Sequence, residues 1–191
     1  MIFPNKKYDI IYADPPWSYY NDMSVDPDCT TVKGVRRPPY PVLSSSDIAK
    51  LPVKDIANVD SVLLIWTTDY HLDKCMQIIK DWGFEYKTIG FVWQKLNKSG
   101  DPVCFTGAYT LKSGVELCLL ATRGKNARKK LLKSHKVRAL ISSERQHHSK
   151  KPDEFRDRIT ELFGRDSSKI ELFARNKTKG WDVWGNDQSL L

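Results

Sequence analysis

Alternating strand-like and helix-like segments predict a single α/β domain over residues 1–191, with a mixed sheet that carries helices on both faces. A chain of 191 residues can bury one sizeable core but is short for two domains. Its apolar fraction of 40% and charged fraction of 28% are typical of a folded globular protein and exclude a disordered tail. No internal repeat indicates a solenoid.

Short runs of aliphatic and β-branched residues predict the strands. The first, YDIIY at residues 8–12, stops at Asp14 because the two prolines that follow cannot continue a hydrogen-bonded ladder. SVLLIW at residues 61–66 and VELCLLAT at residues 115–122 have the same buried character. The predicted strands cover residues 8–12, 61–66, 84–94, 115–122, 137–141, 169–173 and 180–187.

Two segments between these strands carry apolar residues at helical spacing. In residues 70–82 the apolar side chains recur every three or four positions, and Gly83 follows as a stop signal. The second helix begins near Pro152, has acidic residues in its first turn that complement the helix dipole, and ends before Gly164. Both helices are expected to pack on the sheet.

Two polar stretches, residues 18–46 and 95–114, are too long to be ordinary connections inside a compact domain. Long loops of this kind are usually functional or disordered. They follow the predicted strands at residues 8–12 and 84–94. Because ligands of open α/β sheets bind outside the carboxyl ends of strands, both loops are expected to frame a site beside Asp14.

Positive charge is concentrated in one segment. Lys and Arg number 31 against 23 Asp and Glu, which leaves a net charge of +8. Residues 123–138 contain no acid and account for that excess, so the charge forms a patch. The patch favours contact with a polyanion, although a solvated surface would have the same composition. Its basic residues are Arg123, Lys125, Arg128, Lys129, Lys130, Lys133, Lys136 and Arg138.

Membrane, secreted and metal-binding classes are not expected. The sequence has no run of about eighteen apolar residues to span a membrane, and Lys6, Lys7 and Asp9 interrupt any secretory signal. The cysteines are widely spaced without a CxxC or CxxH pair, so neither a metal site nor a disulfide framework is expected. The expectation is a cytoplasmic protein with no membrane partner.

Asp14, Pro15, Pro16 and Trp17 combine a carboxylate, a rigid backbone with exposed carbonyls and a large flat ring at the end of a strand. This set suits the exocyclic amine of a nucleobase, which is a poor nucleophile because its lone pair is delocalised into the ring. Hydrogen bonds to a carboxylate and a main-chain carbonyl return electron density to that nitrogen, and Trp17 would stack on a base taken out of its strand. The alternative is a proline-locked turn with a capping Asp14 and a half-buried Trp17.

Four motifs in order resemble the MT-A-seventy-like family of S-adenosylmethionine-dependent N6-adenine methyltransferases, in its bacterial and phage form. They are DPPW at residues 14–17, HSKKPDE at 148–154, IELFAR at 170–175 and GWDVWGND at 180–187. The resemblance implies a Rossmann-like methyltransferase domain in which the DPPW strand precedes the cofactor strand. That permuted order explains why the chain has no glycine-rich motif near its start. The resemblance also implies methyl transfer from S-adenosylmethionine to N6 of adenine in nucleic acid.

Alternatives to DNA adenine methylation remain open from the sequence. The same amine geometry would serve adenine in RNA or the N4 position of cytosine in DNA, and the bacterial form of the motifs favours DNA adenine. Outside enzymes, the alternative is a catalytically silent nucleic-acid-binding subunit, which the intact DPPW motif argues against. The chain has no separate target-recognition domain, so sequence preference must come from the two long loops or from a protein partner. The sequence leaves homo-oligomerisation open.

The resemblance implies that Asp14 orients the target amine, that Pro15 offers its carbonyl on the backbone fixed by Pro16, and that Trp17 holds the base. Further substrate contacts are aromatic rings of the first long loop and basic side chains of the patch. These candidates are Tyr19, Tyr20, Arg123, Lys125, Arg128, Lys129, Lys130 and Lys133. For the two tyrosines, the alternative interpretation is that they are exposed loop aromatics.

The resemblance also implies which residues bind S-adenosylmethionine. Lys151 stands directly before a helix start, where its ammonium and the unpaired amides suit the cofactor carboxylate. Asp14 meets the cofactor amino group. The residues that follow the last two strands contact the methionine chain, the ribose and the adenine edge. They are Phe173, Arg175, Lys177, Thr178, Asn186 and Asp187.

Overall fold

The computed structural model describes residues 3–18, 31–32, 35–36, 41–107, 109–146 and 150–185. Its helices are α1 (Ser45–Ala49), α2 (Val53–Ile56), α3 (Leu72–Asp81), α4 (Ala127–Leu131) and α5 (Glu154–Phe163), and a 3-10 turn covers Asp69–His71. Its strands are β1 (Tyr8–Ala13), β2 (Thr31–Val32), β3 (Val35–Arg36), β4 (Ala57–Thr67), β5 (Glu85–Leu96), β6 (Cys104–Thr106), β7 (Leu111–Ser113), β8 (Val115–Arg123), β9 (Leu140–Glu144), β10 (Lys169–Leu172) and β11 (Asp182–Trp184).

Seven of these strands form one mixed sheet in the order β11-β10-β1-β4-β8-β5-β9. Neighbouring strands are parallel except at β8, which runs antiparallel to β4 on one side and to β5 on the other. Two short ribbons, β2–β3 and β6–β7, lie outside this sheet. The architecture confirms the predicted α/β domain and is that of a Rossmann-like methyltransferase sheet.

The first strand of the chain and one of the last lie side by side in this sheet. β1 and β10 pair in parallel from Ile10 with Lys169 to Ala13 with Leu172, so the DPPW and IELFAR motifs leave the same edge. β1 leads to β4 on one side and β10 leads to β11 on the other, so the winding reverses between β1 and β10. Ligands of open α/β sheets bind at such a reversal.

Helices cover both faces of the sheet, as the sequence predicts. α1, α2 and α3 bury apolar residues such as Ile48 and Ile79 against one face. Trp82, at the end of α3, donates a hydrogen bond of 3.0 Å to the carbonyl of Ile48 and so joins α3 to α1. α4 and α5 pack on the other face through Leu131 and Phe155. Each large apolar side chain buried in this way contributes roughly 1.5–3 kcal/mol.

The two ends of the strands carry different parts of the chain. The carboxyl ends of the parallel strands share one edge with the start of β8, because Thr67 pairs with Leu117. We call this edge the Asp14 edge. At the opposite edge β8 ends, where Arg123 pairs with Ser61. The basic segment, residues 123–138, begins at that opposite edge and leads to β9.

Short elements account for most differences between prediction and structure. α1, α2 and α4 have four or five residues each, too few for helical periodicity to show in the sequence. The β6–β7 ribbon lies inside residues 95–114, which the sequence predicts as a loop. The strand predicted at residues 137–141 covers Leu140–Glu144 instead, and the carbonyl of Arg138 before it accepts a hydrogen bond from Arg158 of α5. No helix within the described ranges is long and apolar enough to cross a membrane.

Candidate active site

Charged and aromatic side chains from separate chain segments meet at the Asp14 edge. Asp14 follows β1, and His71 closes the 3-10 turn after β4. Lys95 lies at the end of β5, Glu116 lies at the start of β8, and Lys151 lies shortly before α5. These residues are distant in sequence and adjacent in space because the strands that carry them end or begin at the same edge.

Four of these residues form an ion cluster, which comprises Asp14, Lys151, Glu116 and Lys95. The Lys151 Nζ lies 2.7 Å from Asp14 Oδ1, 2.8 Å from Asp14 Oδ2 and 3.1 Å from Glu116 Oε2. Lys95 pairs with the other carboxylate oxygen of Glu116. Only 6% of the Lys151 side chain is exposed, and its Nζ lies 5.3 Å from the ring centroid of Trp66. A cation buried this deeply requires a carboxylate partner, and Asp14 and Glu116 supply two.

Burial and charge act in opposite directions on the cluster. Burial raises the pKa of Asp14, and the nearby Lys151 only partly opposes that rise. Burial also acts to raise the pKa of Glu116, but the charges of Lys151 and Lys95 outweigh it and hold that pKa below its usual range. For Lys151, burial is outweighed by Asp14 and Glu116, which raise the pKa of its ammonium. Lys151 and Glu116 are therefore held charged, and Asp14 is more readily protonated than an ordinary aspartate.

Two residues to which the sequence assigns different roles are in contact in the structure. The sequence assigns Asp14 to the amine and Lys151 to the cofactor carboxylate, and the structure places the two side chains in direct contact. Glu116 and Lys95 were not predicted as site residues. Their signal in the sequence is a charged residue within the apolar run VELCLLAT, since an acid in a buried strand requires a cationic partner.

Trp17 does not offer the open stacking face that the sequence predicts. Its side chain is buried, with the residue 7% exposed, and its ring stacks on that of His71 at a centroid distance of 5.1 Å. Its indole N–H donates a hydrogen bond of 3.1 Å to the carbonyl of Trp66. Its backbone N–H donates to the Pro15 carbonyl, at 2.9 Å, across Pro16. The alternative interpretation, a proline-locked turn with a half-buried Trp17, is closer to this geometry, in which the ring is buried further than that interpretation expects.

His71 is a third residue of the site that the sequence did not reveal. It is fully buried, and its Nε2 lies 2.9 Å from the Ser18 carbonyl while its Nδ1 lies 3.0 Å from the Thr68 hydroxyl. Burial lowers the pKa of His71, so the ring is held neutral. A neutral imidazole has one donor and one acceptor nitrogen, which match a carbonyl and a hydroxyl. His71 thus fixes the position of Trp17.

The loops after β10 and β11 form the other side of the site. Phe173 has a left-handed backbone with φ of 62° and packs edge-on against Trp184 at 5.5 Å. A Cβ on Gly185 would lie 2.2 Å from the Ala174 carbonyl oxygen, so only glycine permits this close approach of the two loops. The Trp184 indole nitrogen is buried and has no hydrogen-bond partner within the described ranges.

An ion pair outside the cluster, between Arg156 of α5 and Glu171 of β10, fixes α5 on the sheet. Arg156 of α5 donates from Nε and one terminal nitrogen to the two carboxylate oxygens of Glu171, at 2.7 and 3.0 Å. Burial raises the pKa of Glu171, although Arg156 opposes that rise. The pair anchors α5, and Lys151 lies three residues before that helix begins.

A protein-family model for MT-A70 matches residues 8–187, which is nearly the whole chain. The chain belongs to the MT-A70 family. The match includes β1 with its DPPW motif and extends through β11, so the permuted sheet and the ion cluster both lie within the MT-A70 domain. Membership of this family implies a methyl donor.

Curated relatives of this MT-A70 chain are methyltransferases. It is 39% identical over 194 residues to the type II methyltransferase M.MunI of Mycoplasma sp, covering 95% of this chain and 78% of that enzyme. It is 26% identical over 192 residues to the N6-methyladenosine RNA methyltransferase MTA1 of Pyricularia oryzae, covering 94% and 46%. It is 29% identical over 198 residues to the N(6)-adenine-specific methyltransferase METTL4 of Mus musculus, covering 95% and 38%. The chain spans less than half of the length of MTA1 and of METTL4. Its family and these relatives show that it is a methyltransferase.

The basic segment of this MT-A70 domain lies away from Asp14. Arg123 ends β8 at the opposite edge and donates to the carbonyl of Lys54, and Lys130 pairs with Asp60. Arg128 lies on α4 beside a cavity of about 930 Å³ at that edge, whose apolar lining includes Val62, Phe84, Leu120, Leu132 and Phe163. The structure therefore does not bring the predicted basic contacts together with the DPPW motif.

The structure describes some of the remaining predicted site residues and not others. Arg175, after β10, is close enough to lower the pKa of Asp14 through its charge. The carbonyl of Thr178 accepts a hydrogen bond of 3.1 Å from the Trp181 amide, in the turn that also contains Lys177. Four predicted site residues lie outside the described ranges, namely Tyr19, Tyr20, Asn186 and Asp187.

Proposed function

We propose that this chain transfers the methyl group of S-adenosylmethionine to N6 of adenine in DNA. The observation that carries the proposal is the Asp14 carboxylate, partly buried with 23% of its side chain exposed, beside the Pro15 carbonyl at the reversal between β1 and β10. These two acceptors match the two hydrogens of an exocyclic amine. The relatives named as N(6)-adenine-specific and N6-methyladenosine methyltransferases support adenine N6 over cytosine N4.

Asp14 and Pro15 orient the amine. Each carboxylate oxygen has two lone pairs, so Asp14 can accept from Lys151 and from the amine together. The Pro15 carbonyl, which accepts one hydrogen bond from Trp17, likewise has a second lone pair. Two such bonds draw electron density back to N6 and aim its lone pair. Catalysis is then mainly alignment and exclusion of water.

The proton that N6 releases passes to a group of this chain. Burial raises the pKa of Asp14, which makes its carboxylate a better proton acceptor than an ordinary aspartate. Lys151 does not serve as the base, because Asp14 and Glu116 raise its pKa and keep its ammonium protonated. Lys151 instead holds Asp14 in place through both carboxylate oxygens.

S-adenosylmethionine, when bound, supplies an electrophilic methyl group on a positively charged sulfur. The residues around Phe173 fit this molecule by their chemistry, since the buried Trp184 indole N–H, which has no partner among the residues that the structure describes, lies beside the ring of Phe173. Lys151 suits the carboxylate, Asp14 suits the amino group and Phe173 suits the methionine chain. The ribose and adenine contacts are proposed for Arg175, Lys177, Thr178, Asn186 and Asp187.

DNA is preferred to RNA as the substrate. The chain is 39% identical to the Mycoplasma enzyme, whose name is type II methyltransferase and does not mention RNA, and only 26% identical to the fungal enzyme that is named as an RNA methyltransferase. A substrate of bacterial DNA would place the enzyme in the cytoplasm. RNA is the second candidate, supported by the match to MTA1. A silent binding subunit has less support, because the ion pair between Asp14 and the buried Lys151 has no role in simple phosphate binding.

Nucleoside analysis tests the proposal. The purified chain is incubated with methyl-labelled S-adenosylmethionine and, separately, with mixed-sequence DNA and RNA, and the products are digested and separated. We expect labelled N6-methyladenine from DNA with the wild type and none with Asp14→Ala. Label in RNA alone would replace DNA by RNA, label on cytosine would replace N6 by N4, and no label in either pool would overturn the proposal.

A further inference from the structure

The β6–β7 ribbon borders the ion cluster. The Lys95 amide donates to the Gly114 carbonyl at 2.8 Å, and the Val103 amide donates to the Lys95 carbonyl at 2.9 Å, so the ribbon is rooted next to the Lys95–Glu116 pair. Lys112 on β7 pairs with Asp69, in the turn that ends at His71. A nucleotide that reaches Asp14 therefore passes beside this ribbon.

The ribbon exposes apolar side chains on both of its faces. Phe105 is paired with Lys112 and Leu111 with Thr106, so Phe105 and Leu111 point to opposite faces. Phe105 is 51% exposed, Leu111 is 71% exposed, and Tyr109 at the turn between the strands is 99% exposed. The sequence between residues 102 and 113 contains no acid. Apolar side chains on both faces suit insertion between stacked bases, because such insertion covers both faces.

Access to the amine requires a gap in the nucleic acid. A base that reacts at its exocyclic nitrogen must leave its stack, which exposes the faces of its former neighbours. Apolar side chains inserted at base steps fill such gaps in other nucleic-acid complexes. Trp17 is buried against His71 and is not placed to do this. Phe105 and Tyr109 carry the exposed aromatic rings of this ribbon.

We propose that the β6–β7 ribbon inserts beside the target nucleotide, with Phe105 and Tyr109 stacking on the bases that flank it. This inference rests on the proposed function, because it needs a base delivered to Asp14. It assigns the second long loop, which the sequence predicts to frame a site beside Asp14, to contact with the nucleic acid around the target. Stacking is tolerant of sequence, so the contact strengthens binding without selecting a recognition site.

The test compares ring removal with ring retention. Phe105→Ala/Tyr109→Ala removes both rings, Tyr109→Phe keeps the ring without its hydroxyl, and Val59→Ala removes an exposed apolar side chain, 83% exposed, at the start of β4. Binding is measured by anisotropy with a fluorescein-labelled mixed-sequence DNA duplex, its single strand and the matching RNA. Methyl transfer, affinity for S-adenosylmethionine, thermal midpoint and molar mass are measured on the same preparations.

We expect the double alanine variant to lose about tenfold or more in affinity for nucleic acid, as loss of base stacking requires. Tyr109→Phe and Val59→Ala should bind as the wild type does, and all variants should keep the thermal midpoint and the cofactor affinity. Unchanged nucleic-acid binding by the double alanine variant would overturn the inference. So would a wild-type dimer that the double variant dissociates, since the ribbon would then contact a second copy. A wild type that binds nucleic acid through these rings but transfers no methyl group would overturn the proposed function alone.

Discussion

At Asp14, the proposed function needs one carboxylate that is both partly buried, for alignment, and ionised, for hydrogen bonding. Burial raises its pKa, and Lys151 limits that rise while occupying both oxygens. Glu116 then balances the charge of Lys151, and Lys95 balances Glu116. The chemistry of one residue is therefore set by a chain of alternating charges, each of which can be removed singly.

Removal of the Asp14 charge should strongly slow catalysis with little effect on folding. We expect Asp14→Asn to lower kcat for methyl transfer by about a hundredfold or more, the size of effect found when a positioned polar group is lost. Lys151 keeps Glu116 as a partner in this variant. Rates are measured by transfer of labelled methyl groups, with Asp55→Asn on α2 as the matched exposed control. A rate within tenfold of the wild type would show that another residue aims the amine.

The pH dependence of transfer should respond in opposite directions to two neighbours of Asp14. Asp14 acts when ionised, so activity falls as the pH drops through its pKa. Glu116 raises that pKa and Lys151 lowers it. Glu116→Gln should therefore move the acid limb of kcat/KM to lower pH, and Lys151→Met should move it to higher pH. Movement of both limbs in the same direction would assign the limb to a group other than Asp14.

At the scale of elements, the turn after β1 and the turn after β4 hold each other. Trp17 stacks on His71, and its indole bonds to the carbonyl of Trp66 on β4. His71 in turn bonds to the carbonyl of Ser18. The two turns thereby fix the backbone that follows Asp14, which explains why the DPPW motif ends in a large aromatic that is buried.

Trp17 should therefore act on stability before it acts on substrate affinity. Trp17→Ala should cost about 3–5 kcal/mol in the free energy of unfolding, because a buried ring is removed. Trp17→Phe keeps a ring and loses one hydrogen bond, which should cost about 1 kcal/mol. Denaturant unfolding measures both, and KM for nucleic acid is compared in the folded proteins. A Trp17→Ala variant of wild-type stability with a raised KM would restore the stacking role.

Elements of the sheet could be predicted because their signals are local. The strands of the sheet are runs of apolar residues, and α3 and α5 are long enough to show periodicity. Of the ion cluster, only Asp14 and Lys151 could be predicted, because they belong to sequence motifs. Glu116 and Lys95 enter the cluster only because the fold brings their strands together. The buried state of Trp17 depends on His71, which lies beyond β4, and no local pattern reveals it.

For the whole molecule, the two edges of the sheet differ in the charge that they offer to a nucleic acid. The ion cluster lies at the Asp14 edge, where the cations Lys95 and Lys151 are already paired. Much of the net charge of +8 comes from the basic segment, which starts at the opposite edge. Leu119 of β8 pairs with Ile65, which in turn pairs with Ala13, the residue before Asp14. Arg123 lies four residues further along β8, so the distance along the strand from Leu119 to Arg123 is roughly 13 Å. A nucleic acid that binds to both edges must extend several base pairs beyond its target.

Substrate length should therefore decide whether the basic segment contributes. We expect Lys125→Gln/Arg128→Gln/Lys129→Gln to flatten the slope of log affinity against log salt by roughly two to three units on a long duplex, because each phosphate that a cation neutralises adds about 0.9 to the steepness of that slope. Lys130 is left in place because it pairs with Asp60. Glutamine keeps helix propensity in α4, so folding should be retained.

On a duplex too short to reach the opposite edge, the same triple variant should bind and react as the wild type does, because only the Asp14 edge is then engaged. Affinity for S-adenosylmethionine should also stay unchanged, since Lys151 and Phe173 lie at the other end of the strands. Anisotropy titrations at several salt concentrations, with both duplex lengths, measure these differences. An unchanged slope on the long duplex would make the basic segment a solvated surface, and an equal decrease in affinity on both lengths would bring it next to the target base.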